Sequence, residues 1–109
     1  MKLALVLWMT VIGHSMEPSI HSGQWVLVNR TVRYEDLRVG DVIEYDAVWT
    51  TKNEGRVTHR VVRVNTFGLL VTKGDNNERE DPYAVSRSNY IGRVDCIGFC
   101  LTCAGGMAR

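Results

Sequence analysis

The chain has 109 residues, of which 45% are hydrophobic and 23% are charged. This length and composition predict a single folded domain and exclude an intrinsically disordered chain. With 13 basic and 12 acidic residues the formal net charge is +1, which disfavours a nucleic-acid-binding function because no large basic surface is available.

The chain begins with one lysine and an apolar run, residues 3–12, that is interrupted only by Thr10. Ten residues are too few for a transmembrane helix, which needs about 20. We expect either a buried first element or a segment that contacts a membrane, as a truncated anchor would. The run also resembles the front of a secretory signal. Its length alone does not separate these alternatives.

Short runs of β-branched and aromatic residues, separated by turn-forming residues, recur along the chain and are typical of strands. A polar segment at residues 30–38 is predicted to connect two strands and to hold one helical turn. The fold class is therefore mainly β, as a compact, folded-over antiparallel sheet or a partial barrel. The predicted strands are residues 25–29, 42–51, 56–64, 69–73 and 90–94.

Three cysteines, Cys96, Cys100 and Cys103, lie in an apolar tail at residues 96–108. Their odd number gives no disulfide framework, and the tail offers no fourth ligand for a zinc ion. We therefore expect free thiols in this tail and neither a metal nor a cofactor in the protein.

Ser15 is the candidate nucleophile because it lies between a glycine and the sequence Met-Glu-Pro, just ahead of an apolar strand. A serine hydroxyl is a weak nucleophile at neutral pH unless a neighbouring base takes its proton. His59 is the candidate base, since strand alternation places it on one face with Val57 and Val61. That apolar row favours the neutral imidazole, which can accept a proton.

Other basic groups leave alternatives open. His14 is adjacent to Ser15 and would point to the opposite face of an extended segment, while His21 lies in a predicted turn. We therefore expect both at the surface or at the rim of the substrate site. Lys73 is an alternative base for a Ser-Lys pair. For His59 itself, the alternative is a structural histidine bonded to a backbone carbonyl.

Asp75 and Asp81 lie six residues apart in a polar loop at residues 74–82. Either carboxylate could accept a hydrogen bond from His59 and fix its tautomer, as the third member of a catalytic triad does. Both also have a local interpretation, because aspartate after glycine or before proline commonly stabilises a turn.

Several of these motifs together resemble the type I signal peptidases. They are G-H-S-M-E-P at residues 13–18, T-H-R-V-V at 58–62, K-G-D-N-N at 73–77 with Asp81, and I-G-R-V at 91–94. The chain is most similar to the archaeal and endoplasmic-reticulum branch, in which a histidine replaces the lysine base of the bacterial branch. His59 occupies that position.

The resemblance implies a membrane-associated serine endopeptidase that removes signal peptides by cutting after small residues on the non-cytoplasmic side of the membrane. Its expected partners are the signal peptides of preproteins, and it uses no cofactor. It implies that Ser15 is the nucleophile and His59 the general base. It also implies that Asp81 orients His59 and that Asp75 is a supporting residue.

The resemblance also implies that Gly13, Met16 and Pro18, around the nucleophile, contact substrate or the oxyanion. In the family a serine usually stands at the position of Gly13, and in the bacterial branch its hydroxyl helps to form the oxyanion hole. Backbone N–H groups, including that of Ser15, would take this role here.

Two other functions are compatible with parts of the sequence. A self-cleaving repressor-type peptidase shares the G-x-S-M pattern but uses a lysine base and carries a DNA-binding domain, for which 109 residues leave no room. A non-catalytic module that binds signal peptides is the second alternative, and the presence of Ser15, His59 and both aspartates argues against it.

Overall fold

The computed structural model describes residues 5–47 and 55–98. Within these ranges six strands form one sheet in the order β1-β2-β6-β3-β4-β5, with every neighbouring pair antiparallel. The predicted mainly β, antiparallel class is confirmed. The strands are β1 (Val6–Thr10), β2 (Trp25–Asn29), β3 (Val42–Asp46), β4 (Arg56–Val64), β5 (Leu70–Lys73) and β6 (Tyr90–Ile97).

The predicted strands at residues 25–29 and 56–64 have the observed bounds of β2 and β4. The predicted helical turn is a short 3-10 helix, Tyr34–Asp36, between β2 and β3. β3 and β4 pair as neighbours in the chain, from Val42 opposite Arg60 to Asp46 opposite Arg56. Residues 48–54, between these strands, lie outside the described residues.

Other strand ends differ from the sequence prediction. The strand predicted for residues 42–51 ends at Asp46, and β5 begins one residue later than predicted. β6 continues three residues beyond the predicted end at residue 94, because Cys96 and Ile97 pair with Leu27 and Val26 of β2. Pairing with a strand distant in sequence extends β6 where its own composition does not predict it.

Within the apolar N-terminal run, Val6–Thr10 forms an edge strand, since β1 pairs only with β2 in the described sheet. Alternate side chains of β1 differ in their environment: Leu7 and Met9 pack against the core, whereas Val6 and Trp8 are exposed. One face of this strand is therefore partly buried, as the buried-element alternative predicts, and the membrane-contact alternative stays a prediction. No helix within residues 5–47 and 55–98 has the length and apolar character needed to span a membrane.

Cys96 is fully buried in β6 and forms a disulfide bond, so the prediction of free thiols is wrong for this residue. An odd number of cysteines excludes complete pairing but not a single bond. Cys100 and Cys103 lie outside the described residues, as does the predicted tail beyond Gly98.

Two groups of buried side chains form the core on either side of the candidate site. One group lies under β1, β2 and β6 and consists of Val11, Met16, Ile20, Val26, Val28, Val42 and Val94. The other lies under β3, β4 and β5 and consists of Ile43, Tyr45, Val61, Leu70 and Val85.

Candidate active site

Ser15 lies in the turn region between β1 and β2, directly before two buried anchors. Met16 and Ile20 are 0% and 1% exposed, and the Ile20 N–H donates to the Met16 carbonyl over 2.9 Å. Full burial of a side chain of this size contributes about 1.5–3 kcal/mol. The core therefore fixes the backbone that carries Ser15, although the segment has no regular secondary structure.

His59 of β4 is within hydrogen-bond distance of the candidate nucleophile. Its Nε2 atom lies 3.1 Å from Ser15 Oγ, and the residue is only 8% exposed. Val61, two residues further along β4, is fully buried, in agreement with the predicted apolar row. At this distance the imidazole can accept the hydroxyl proton directly.

Asp81 is the aspartate that contacts His59. Its Oδ2 atom lies 2.7 Å from His59 Nδ1, and the two side chains are 9% and 10% exposed. An ionised carboxylate only accepts hydrogen bonds, so Nδ1 donates to it and Nε2 is left as the acceptor that faces Ser15. The contact fixes the tautomer that proton transfer from Ser15 requires.

Two further side chains hold the same carboxylate oxygen, and neither was predicted from the sequence. Tyr45 OH and Thr72 Oγ1 donate to Asp81 Oδ2 over 2.7 Å and 2.5 Å, and both residues are fully buried. The only indication in the sequence is general: a hydroxyl side chain in a strand that becomes buried needs a hydrogen-bond partner. That rule does not identify the partner, which depends on the pairing of β3, β4 and β5.

The environment keeps Asp81 ionised. Burial alone raises its pKa, but the hydrogen bonds from His59, Thr72 and Tyr45 outweigh burial and lower the pKa below its ordinary value. Burial raises the pKa of Tyr45. The hydrogen bond with Thr72 opposes this rise, and Asp81 adds to it. Tyr45 therefore remains a protonated donor beside a charged acceptor.

Asp75 lies in a separate hydrogen-bond network. Its two oxygens accept from Arg60 Nε and Nη2 over 2.9 Å and 2.8 Å, and Oδ2 also accepts from Ser19 Oγ over 2.7 Å. Burial raises the pKa of Asp75, but these hydrogen bonds, with the charge of Arg60, lower it overall. Asp75 thus connects β4 to the segment that follows Ser15.

Gly74 allows the polar loop to approach the backbone of Ser15 and the ring of His59. A Cβ atom on this residue would lie 2.7 Å from the Ser15 carbonyl oxygen and 3.0 Å from His59 Nε2. The Asn76 N–H donates to the same Ser15 carbonyl over 2.7 Å. The glycine of the K-G-D motif is therefore explained by close approach of the backbone.

The alternative bases lie elsewhere. Lys73 Nζ donates to the Gly74 carbonyl over 2.9 Å. His14 and His21 have side chains that are 73% and 60% exposed and lie near Glu17. Both histidines are at the surface, as predicted.

The three residues predicted to contact substrate or the oxyanion have different environments. Gly13 has φ +98°, and its N–H donates to Ser22 Oγ over 3.1 Å. Met16 belongs to the core, and Pro18 is exposed. None of the three lines the groove beside Ser15, so their contact with substrate stays a prediction.

A groove of about 640 Å³ opens beside Ser15 and His59. The end of β1 and the residues just after it form one wall, and Arg56, Val57 and Thr58 of β4 form another. β1 and β4 are not neighbours in the sheet, so the sheet folds over to bring them together. Within the described ranges, no group of three His, Cys, Asp or Glu side chains is arranged to hold a metal ion.

Serine, histidine and aspartate in one hydrogen-bonded series beside a groove have the geometry of a triad-type hydrolase site. A folded-over antiparallel sheet supplies this series from β4 and from the segments that follow β1 and β5.

Comparisons with known proteins identify the family, although no protein-family model matches the chain. The chain is 38% identical to Signal peptidase I W of Bacillus subtilis (strain 168) over 95 residues, which are 84% of the chain and 47% of that protein. It is 37% identical over 95 residues to Signal peptidase complex catalytic subunit SEC11 of Metarhizium robertsii, covering 81% of the chain and 52% of that protein.

Similarity extends to Signal peptidase complex catalytic subunit SEC11C of Homo sapiens, with 31% identity over 96 residues that cover 81% of the chain and 46% of the human protein. The chain spans about half the length of these relatives. It belongs to the type I signal peptidase family.

Proposed function

We propose that this protein is a serine endopeptidase that removes signal peptides from preproteins and cuts after small residues. The observation that carries the proposal is the hydrogen-bonded series Ser15, His59 and Asp81 beside an open groove. Kinship with signal peptidases supplies the substrate class.

In this mechanism His59 Nε2 takes the proton of the Ser15 hydroxyl while Oγ attacks the carbonyl carbon of the scissile bond. The resulting tetrahedral intermediate collapses when His59 returns the proton to the leaving amine, which leaves an ester on Ser15. A water molecule, deprotonated by His59, then hydrolyses the ester. Asp81 stabilises the imidazolium that forms in both steps.

The Ser15 N–H is our proposed oxyanion donor. Within residues 5–47 and 55–98 this N–H donates to no protein group, whereas the N–H of Gly13 is engaged by Ser22. A backbone donor next to the nucleophile stabilises the negative charge that develops on the substrate oxygen. In this proposal the turn holds the Ser15 N–H in position, and the turn is shaped and anchored by Gly13, Met16 and Pro18.

The groove suits an extended peptide. A substrate that lies along the end of β1 and the adjacent part of β4 adds main-chain hydrogen bonds, as in other strand-addition complexes. Exposed apolar side chains on β1, β2 and their flanks are consistent with our further proposal of attachment to a membrane on its non-cytoplasmic side. They are Leu5, Val6, Trp8, Ile12 and Trp25.

A Ser-Lys mechanism is less well supported, because the amino group of Lys73 is hydrogen-bonded to the Gly74 carbonyl while His59 contacts Ser15. A module that only binds signal peptides would share the groove but would not use the hydroxyl of Ser15.

The test uses the full chain in detergent with a preprotein substrate. Ser15→Ala and His59→Ala should each lower the cleavage rate by at least about 10⁴-fold, because either change removes a member of a unit that acts together. Ser88→Ala and His21→Ala are matched controls at exposed positions and should cleave at the wild-type rate. A fluorophosphonate probe should label wild type but not Ser15→Ala.

Undiminished cleavage by both site variants would refute the assignment. If wild type binds the signal peptide but neither cleaves it nor reacts with the probe, the binding-module hypothesis replaces the peptidase.

A further inference from the structure

Glu44 is a buried carboxyl in the wall of the groove, outside the Ser15, His59 and Asp81 series. It lies on β3 opposite Thr58 of β4 and is only 3% exposed. Thr58 Oγ1 donates to Glu44 Oε1. Both residues line the same groove as Ser15 and His59.

The second oxygen of Glu44 has no such donor. Within the described residues Oε2 makes no hydrogen bond, and it is not among the polar atoms sealed from solvent. Glu44 is only 3% exposed but borders the groove, so a group bound in the groove is placed to supply the missing hydrogen bond.

No cation forms an ion pair with Glu44 within the described parts of the chain. Arg56 also lines the groove and acts on Glu44 through its charge, but its Nη1 atom contacts Met9 Sδ over 3.7 Å. Burial raises the pKa of Glu44 to about 7; the Thr58 hydrogen bond and Arg56 lower it, and Asp46 adds to the rise. A hydroxyl can donate to this carboxyl in either protonation state, because a protonated carboxyl keeps acceptor capacity.

The position of Glu44 along the groove indicates which substrate residue it meets. Thr58 precedes His59 on β4, so the Glu44–Thr58 pair is displaced from Ser15 towards the Arg56 end of the groove. In an extended peptide alternate side chains face the same way, about 6.5–7 Å apart. Under the proposed function the groove holds the residues before the cut. With the last of these next to Ser15, the side chain two residues earlier points the same way and lies towards this pair.

We propose that Glu44 is a specificity-determining residue that accepts a hydrogen bond from a hydroxyl side chain at the third residue before the cut. Glu44 thereby selects threonine over valine at that substrate position, because valine has nearly the same shape but leaves Glu44 Oε2 without a donor. The inference rests on the proposed function, because it concerns a substrate of the same groove.

The experiment compares two peptide substrates that differ only in threonine or valine at the third position before the cut. Wild type should cleave the threonine peptide with about 10-fold higher kcat/KM or more, since a site built for a hydroxyl rejects the analogue that lacks it. The same exchange at the second position is the matched control and should change kcat/KM little.

Two variants test the role of Glu44. Glu44→Gln keeps an acceptor oxygen and should retain part of the preference for threonine, whereas Glu44→Val should abolish or reverse it. Thermal melts establish that both variants fold. A wild-type ratio near one, or an unchanged ratio in a folded Glu44→Val variant, would overturn the inference.

Peptide binding to the Ser15→Ala chain separates this inference from the proposed function. Its Kd ratio for the two peptides measures selection at Glu44 without any cleavage. Selective binding with no cleavage by wild type would refute the peptidase and keep the role of Glu44. Cleavage with no difference between the two peptides in Kd or kcat/KM would support the peptidase and refute the role of Glu44.

Discussion

Asp75 and Asp81 show how two aspartates in one loop come to have different roles. Asp81 holds the ring of His59 and accepts hydrogen bonds from Tyr45 and Thr72. Asp75 forms a two-point ion pair with Arg60. The partner, and not the residue type, therefore decides which carboxylate can act on the reaction.

The corresponding asparagine variants should separate the two roles. Asp81→Asn should lower kcat by on the order of 10⁴-fold, because an amide that donates to Nδ1 favours the tautomer in which Nε2 carries the proton. Asp75→Asn should lower kcat less than about tenfold but should reduce the free energy of unfolding by roughly 1.5–3 kcal/mol, since it weakens the hydrogen bonds with Arg60.

Steady-state kinetics and urea unfolding of both variants check this division. Equal losses of kcat in two folded variants would show that the structural distinction between the aspartates has no catalytic meaning.

At the scale of elements, the loop after β5 and the turn after β1 depend on each other. Gly74 lies against the Ser15 carbonyl and the ring of His59, and Asn76 donates to that same carbonyl. The two segments are joined by backbone groups, which cannot move away as a long side chain can. The contact therefore transmits any shift in the loop to the nucleophile.

Gly74→Ala should consequently lower kcat by about 10²-fold, because a displacement of about 1 Å at a reacting group has an effect of that size. Gly68→Ala is the control: it places a side chain at φ +79° but meets no atom within 4 Å. It should cost about 1–2 kcal/mol of stability and leave kcat unchanged. Similar kcat values for both folded variants would exclude the proposed coupling.

At the scale of the whole molecule, buried carboxyl groups make opposing contributions to stability. The pKa of Glu44 is raised from 4.5 to about 7, mainly by burial, so its favourable contribution is complete below pH 4.5 and is lost as the pH rises through 7. The pKa values of Asp75 and Asp81 are lowered, so their contributions are present above their ordinary value of 3.8 and disappear at lower pH.

Stability should therefore be highest in weakly acidic solution. Glu44→Gln should raise the free energy of unfolding at pH 8, by about 3 kcal/mol at most, and the gain should shrink at pH 5, where Glu44 is largely protonated in the fold. Urea unfolding of wild type and variant at the two pH values measures this difference. The same gain at both pH values would exclude titration of Glu44 as its cause.

The sequence predicts much of the sheet because its information is local. Turn residues bracket the β-branched runs that become β2 and β4, and strand alternation correctly places His59 and Val61 on a buried face. The order of motifs also identifies the family, which the similarity to known signal peptidases supports.

Long-range pairing decides the rest. Tyr45 and Thr72 reach Asp81 only because β3, β4 and β5 lie side by side, and β6 is extended by its contact with β2. Alternation alone would place Glu44 on a face that could equally be solvated; it borders a groove because the sheet folds β1 across that face.

The sequence by itself therefore determined the bounds of β2 and β4, the β class and the segment that carries Ser15, since these depend on neighbouring residues. Only the tertiary structure decided that Asp81 contacts His59, that Asp75 pairs with Arg60 and that Glu44 faces the groove. The physical reason is that hydrogen bonds and burial at these positions join residues far apart in the chain, so spacing in sequence does not specify them.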